Sequence, residues 1–442
     1  MNLNRHEFLI GAFKAALGAA DPRQILPKGF ADTFDQPLKG RVLVLGAGKA
    51  AASMAQALEV YAQAHWPDAK LDGLVITRYG HRAPTSLIRV VEAGHPVPDA
   101  AGMAAAVETL KLVQSLKPDD HLIALVSGGG SSLLTLPASG LSIEDLRQTT
   151  QALLRSGAPI GDMNVVRKHL SAILGGHLAR EAYQCGAQVD AFLISDVTGD
   201  HPSSIASGPC APDPSTFADA LRILENYDLG EKQIPKAVLD YLRDGVLGKR
   251  PETPKEGDAV FSRTRNHLLA SAHVSLEAAA AFCQSHGVLP VSLGDTVMGE
   301  ARDVALMQAS IAREIFLYDR PFKKPVALLS GGECTVTIPQ GVNGRGGRCS
   351  EFLLSLFAHT EDLQTLSALA ADTDGIDGSE QNAGAWFTSE TRQQSEASIQ
   401  LAKTSLSQHD AYGFFANTDT LLQTGPTLTN VNDFRILLID NG

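Results

Sequence analysis

Two glycine-rich stretches carry the residue types needed to hold an anion. In the first, GAGKAA from Gly46 to Ala51, Gly46 and Gly48 let the backbone come close to a ligand and Lys49 adds a positive charge. Placed between a strand and a helix, such a turn offers N–H groups and the positive end of the helix dipole. It lacks the GxxxxGK[ST] of a Walker A loop but satisfies the relaxed GxGxxA dinucleotide pattern. A tight turn with a solvated lysine is the other reading. The second stretch is SGGGSS: Ser127, Gly128, Gly129, Gly130, Ser131 and Ser132. Three consecutive glycines expose their N–H groups and two serines add donors, the composition of a phosphate cradle. The alternative is a flexible turn with serine helix caps.

Charged side chains gather at further breaks in the sequence. Asp196 and Asp200 in LISDVTGD are close enough to share a cation or a moving proton, or to act as turn formers. Arg167, Lys168 and His169 sit together at a predicted helix start, where the dipole opposes cations. An anionic ligand would relieve that conflict, so Arg167 and Lys168 are candidates for holding a substrate anion; a solvated basic face is the other reading. In NGRGGRCSE, glycines deliver Arg348, whose guanidinium matches phosphate or carboxylate with two parallel hydrogen bonds. The acids of ADTDGIDG, Asp372, Asp374 and Asp377, imitate a calcium loop, but the twelfth position holds Ala383 instead of glutamate. Asn430, Asn432 and Asp433 close the series.

The elements that must position these residues alternate between short apolar runs and helical patterns, the mark of an α/β fold with a parallel sheet. Val42 to Leu45 form a strand, followed by Met54, Ala57, Leu58 and Tyr61 on one helical face. Further strands begin near Leu71, His121 and Ala191, with a helix from about Val165 to Tyr183. Four glycine-terminated strands place four loops at the carboxyl edge of one sheet, where open α/β sheets bind ligands. The stretch DGVLGKRPETPKEGD, residues 244–258, reads as a linker. A second α/β pattern follows: helix 271–286, strand 290–294, helix 300–317, a strand from Pro325 and a last strand in NDFRILLID. The expected domains are 1–245 and 260–442.

At 442 residues the chain exceeds what one core supports. Hydrophobic residues make up 44% and charged residues 19%, a globular balance. With 37 Lys and Arg against 49 Asp and Glu, the net charge is −12, the wrong sign for a nucleic-acid partner. The five cysteines are scattered and read as reduced thiols. Glu7 and Lys14 make the amino-terminal stretch an amphipathic helix rather than a secretory signal, and no apolar run reaches the ~20 residues of a membrane span. A cytoplasmic location with no membrane partner is expected.

As an ordered set, GAGKAA, EAGHPVPD, SGGGSSLL, RKHLS, SDVTGD, SGPCAPD, SGGE, GRGGRCSE, DTDGIDG and GPTLTNVND resemble the bacterial glycerate 2-kinase family from near residue 40 to the end. The resemblance implies phosphorylation of glycerate at its 2-hydroxyl, with ATP and a divalent cation, Mg²⁺, as cofactors. It implies a Rossmann-like parallel-sheet N-terminal domain, a smaller α/β MOFRL-type C-terminal domain, and catalytic roles for Lys49 and Arg348. SGGGSS would then hold phosphates, with Asp196 and Asp200 as metal or acid/base candidates. The chain departs from the family where GGRNQE is usual: it reads GGRCSE, residues 346–351, so the side-chain hydrogen bonds there differ. The same family is often labelled hydroxypyruvate reductase. An NAD(P)H-dependent reductase would need an acid about 20 residues past the glycines, where this chain has Thr77, Arg78 and Tyr79.

Overall fold

The computed structural model describes residues 4–339, 341–394 and 397–441. Among these described residues fourteen strands follow in chain order: β1 (Gly40–Ala47), β2 (Ala69–Arg78), β3 (Ile88–Ala93), β4 (His121–Ser127), β5 (Gln188–Ile194), β6 (Thr264–Ala270) and β7 (Leu289–Ser292). They continue with β8 (Gly299–Glu300), β9 (Val326–Ser330), β10 (Cys334–Thr335), β11 (Ser367–Asp372), β12 (Gly384–Phe387), β13 (Leu421–Leu422) and β14 (Asp433–Ile439).

The first sheet has the order β3-β2-β1-β4-β5-β6, and β1 to β5 pair in parallel. Its central strands are buried along almost their whole length, as a sheet covered on both faces requires. Because the pairing is parallel, Ala47 lies beside Ile76 and Val126, and Ser127 beside Ile194. The turns after β1, β4 and β5 therefore leave from one edge. After β1 the helix Ala51–His65 buries Met54, Ala57 and Leu58, as their spacing predicts. Where one helix was expected from Val165 to Tyr183 there are two, Ile160–His169 and His177–Gln184. Between them Gly175 and Gly176 adopt φ of +60° and +84°, and Ser171 bridges Pro137. The helical register of leucine and alanine runs through this break, so periodicity alone hides it.

The second sheet has the order β13-β12-β11-β14-β9-β7; only β7 and β9 pair in parallel, and the remaining contacts are antiparallel. The helix Arg348–Ala358 is buried along nearly all of its length among Phe357, Phe387, Phe414 and Leu437.

The chain divides into two compact units, Pro22–Leu269 and Met1–Asp21 with Ala270–Gly442. This differs from the expected division at both ends. The helix Arg5–Gly18 belongs with the second unit, where Phe8, Leu9 and Phe13 join a core with Leu369, Phe434 and Ile436. The supposed linker is part of the first unit: Thr253 is buried, Pro254 accepts the Asp213 N–H at 2.9 Å, and β6 lies beyond it in the first sheet. Pro and Gly in that stretch shape a packed strap rather than a hinge. Phe13 is 1% exposed. Phe13→Ala should therefore destabilise the unit holding residues 270–442 by about 3–5 kcal/mol, read as a lower denaturant midpoint; an unchanged midpoint would detach the first helix from that core.

Candidate active site

The turns after β1 and β4 are built against each other. Gly48 donates its N–H to Ile76 O at 3.0 Å, Lys49 to Gly128 O at 2.9 Å, Ala50 to the Ser127 hydroxyl at 3.0 Å and Ala51 to Gly48 O at 3.1 Å. These four N–H groups are used inside the protein, so this turn does not offer them to an anion as its sequence suggested. Its glycines serve close approach instead. A Cβ on Gly46 would collide with the Leu125 carbonyl, and one on Gly48, at φ +138°, with Ser127. The turn contributes the Lys49 side chain, whose Cγ passes 3.5 Å from where a Cβ on Gly129 would stand.

The SGGGSS loop leaves backbone donors open. Among the described residues the N–H groups of Gly128 and Gly129 make no hydrogen bond, and Gly129 turns the chain at φ +81° into the short helix Gly130–Leu133. The Ser132 hydroxyl donates to Gly129 O at 3.1 Å, and Ser131 Oγ lies 2.8 Å from Ser207 Oγ. Ser207 is held there by two successive non-glycine residues at positive φ, Ala206 at +49° and Ser207 at +57°, each costing on the order of 1–3 kcal/mol. His95, just past β3, was not singled out in the sequence. Its Nε2 comes within 2.9 Å of the Cβ position of Gly129, so imidazole and lysine stem both flank the cradle. The available signal was an imidazole between Gly94 and Pro96 at the end of a parallel strand.

Asp196 and Asp200 follow β5 beside the cradle, since Ile194 pairs with Ser127. Both are half-buried, and Asp200 closes a turn with its N–H on Val197 O at 3.2 Å. Among the described residues no group of three or more His, Cys, Asp or Glu is placed to hold a metal ion.

Arg167, Lys168 and His169 occupy the last turn of their helix rather than the first, so the dipole favours them and the expected conflict does not exist. Lys168 is not available to a substrate: it is buried in an ion pair with Asp213 at 2.6 Å. Burial works to raise the Asp213 pKa, but Lys168 and the Ser215 hydroxyl and N–H hold it below the ordinary carboxylate value. Arg167 turns the other way and lines a cavity with Ser131, Ser132 and Thr135.

In the second unit Arg348 is the first residue of its helix. Its Nε donates to Asp433 at 2.7 Å and its Nη2 to Asp372 at 2.8 Å, with Glu333 3.5 Å from Nη1. Burial acts to lower the guanidinium pKa, but these carboxylates hold it well above its usual value. Asp377 caps the same helix, accepting from the Cys349 and Ser350 N–H groups at 3.0 and 2.8 Å and from the Ser350 hydroxyl. Asp374 accepts the Ile376 N–H at 2.9 Å. The acids of ADTDGIDG thus orient an arginine, cap a helix and close a turn, and Ser350 has a definite partner.

A parallel α/β sheet with a lysine turn and a glycine-serine cradle at its carboxyl edge, joined to a second α/β unit bearing an oriented arginine, defines an enzyme that handles small anions. Residues 8–243 match the domain of unknown function DUF4147 and residues 326–433 match the MOFRL family. The glycerate 2-kinase of Pyrococcus horikoshii is 40% identical over 96% of this chain and 95% of its own. A protein of Agrobacterium vitis whose name contains the words hydroxypyruvate reductase is 45% identical over 99% of this chain and 95% of its own. The crystal structure of a glycerate kinase from Thermotoga maritima superimposes with a TM-score of 0.83 at 34% identity, covering 98% of this chain and 99% of that one. The chain belongs to the MOFRL-domain glycerate 2-kinase family. Among the described residues no helix is long and apolar enough to cross a membrane.

The break after Arg167 also carries a pH response. His177 Nδ1 donates to Ser171 O at 2.9 Å, and burial lowers its pKa from 6.5 to about 4. A base whose folded pKa is depressed contributes stability above its unfolded pKa and loses it as pH falls toward the folded value. Between pH 6.5 and 4 this amounts to about 3 kcal/mol. His177→Gln should lose stability less steeply over that window in chemical denaturation; parallel curves would show that the buried imidazole is not the cause.

Proposed function

We propose that this chain transfers the γ-phosphoryl group of ATP to the 2-hydroxyl of D-glycerate, giving 2-phosphoglycerate and ADP. The observation that carries the reading is the locked pair of turns, which aims Lys49 across a loop whose Gly128 and Gly129 N–H groups are unbonded. Phosphoryl transfer asks the protein chiefly to position reactants and to stabilise charge on the transferring group. A lysine beside backbone donors supplies both, and relatives over nearly the whole chain are named glycerate 2-kinase.

Lys49 and Arg348 are the two catalytic cations of this reading, one on each unit. Asp433 and Asp372 occupy the Nε and Nη2 side of Arg348, leaving the Nη1 donors toward the 3.5 Å contact with Glu333 as its more available edge. Mg²⁺ is ordinarily held by one or two carboxylates plus substrate phosphates, and Asp196 and Asp200 fit that role beside the cradle. When bound, the ion would neutralise charge on the phosphate oxygens. The reductase reading fails on a specific observation: the N–H groups of the GxGxxA turn, which would receive a dinucleotide pyrophosphate, are consumed within the protein.

With ATP, Mg²⁺ and D-glycerate, enolase should consume the product without a phosphoglycerate mutase; a requirement for the mutase overturns the 2-position. Hydroxypyruvate should cause no NAD(P)H oxidation. Lys49→Met and Arg348→Met should each lower kcat by roughly 10²–10⁴, and Arg348→Lys should not restore it, because an ammonium lacks the guanidinium fork. The double variant should be less impaired than the product of the two single effects. A normal kcat with only a raised KM would move these cations from catalysis to binding.

A further inference from the structure

Arg167 is a half-buried guanidinium with no counter-charge among the described residues. Its polar side-chain partner is Asn164 Oδ1, at 3.3 Å, and among the described residues no carboxylate lies within ion-pair distance of it. Lys168, the next residue, has Asp213, so the neighbouring acid is already committed. Burial alone pushes the Arg167 pKa below its ordinary value, with no opposing attraction. A buried charge in this condition is costly unless something pairs with it.

The cavity beside Arg167 shows what that something must be. Most of its hydroxyls are already engaged: Ser131 with Ser207, Ser132 with Gly129 O, Thr135 with Ser132 O, Thr149 with Asp145 O and Ser171 with Leu136 O, which leaves the Thr150 hydroxyl beside the guanidinium. The unmet charge belongs to the guanidinium alone, which has five donors in a planar fork suited to a carboxylate. The rest of the wall is mostly leucine, valine and threonine. About 30 Å³ is open to the centre of a water-sized sphere, where one water needs about 10–15 Å³. That is room for a group of a few heavy atoms, the size of a carboxylate. Ser131 and Ser132 belong both to this cavity and to the phosphate cradle, so an acid anchored here keeps the hydroxyl on its α-carbon at the cradle side.

We propose that Arg167 is the carboxylate anchor of the acceptor site and selects short 2-hydroxymonocarboxylates over neutral polyols. The assignment rests on the kinase reading for the identity of the acceptor. It gives the guanidinium its missing partner and fixes which end of the acid faces the cradle. The apolar wall excludes a second carboxylate on the same side.

The test uses the full chain, with D-glycerate binding followed by calorimetry without ATP and KM values taken from the enolase-coupled assay. Arg167→Met should raise the KM for D-glycerate roughly 10²–10³-fold, as for the loss of a charge-assisted fork, while the KM for ATP changes less than about twofold. Arg167→Lys keeps the charge and should fall between. Ligand-free Arg167→Met should melt at or above the wild-type temperature, because an unpaired buried charge is gone, and D-glycerate should raise Tm in the wild type only. An unchanged KM for D-glycerate, or a selective loss of ATP affinity, overturns the assignment and leaves the kinase reading standing. Arg167-dependent glycerate binding without 2-phosphoglycerate formation would do the reverse. If Arg167→Met does not fold, Arg167→Lys with an unaltered KM and unaltered glycerate-induced Tm shift is enough to reject the anchor.

Discussion

The approach of the β1 turn to the β4 turn is closer than any side chain allows. Gly46 lies against the Leu125 carbonyl and Gly48 against Ser127, and a methyl group at either position would push the strands apart. The backbone contact is sealed by Lys49 N–H on Gly128 O and Ala50 N–H on the Ser127 hydroxyl. This reverses the usual reading of a glycine-rich turn. Its N–H groups hold the neighbouring loop in place, and that loop in turn keeps the N–H groups of Gly128 and Gly129 unbonded. With its backbone fixed on both sides, Lys49 has its stem directed over Gly129, where His95 also lies.

A comparable constraint orders the second unit through charge rather than close approach. Arg348 begins a helix, the end where the dipole opposes a cation. Asp372, Asp433 and Glu333 offset that opposition, and Asp377 takes the helix N–H groups that would otherwise face the guanidinium. Asp433 is itself paired with the fully buried Arg435, whose Nη1 donates to Gly331 O at 2.9 Å. The arginine direction is therefore set by strand ends of β11 and β14 and by one cap. Cys349 is buried and Ser350 reaches Asp377 directly, so the helix start stays capped.

Much of this was legible in the sequence, and the misses share a cause. Strands β1, β2, β4, β5, β7, β9 and β14 and the helices Ala51–His65, Ala272–Ser285 and Ala301–Tyr318 follow from local apolar period and glycine stops, whereas β3, β6 and β11 to β13 carry too short or too mixed an apolar run to stand out. The loops were legible because glycine, serine and charge rarely concentrate at a strand end without a reason. Features decided by tertiary contact were not. The break at residues 170–176 preserves helical period, the strap 244–258 has linker composition but a packed environment, and the first helix carries no mark of which sheet it will cover. Arg167–His169 end their helix, where the dipole favours cations, whereas the helix that begins with a cation is the one starting at Arg348. Whether a turn's N–H groups are open depends on a loop almost eighty positions away, beyond the reach of any local motif.

The three cations of the proposed function differ in how far the protein has neutralised them, and the difference follows from what each must do. Arg348 is surrounded by carboxylates that fix its direction and stabilise its charge before any ligand arrives. Such a group is preorganised for a charge that develops in a transition state, since little need be rearranged when the charge appears. Arg167 has been given no acid at all, and the apolar wall around it strengthens whatever pairing an anion makes there. Its strain is relieved only by a ligand present in the ground state, which is the property of a binding contact rather than a catalytic one. Lys168, one residue on, rotates about 100° around the helix to the buried Asp213 and ties the helix end into the fold. Adjacent cations on one helical turn are thus separated by that rotation alone into a structural ion pair and the guanidinium proposed to receive an anion, in a chain whose net charge is −12.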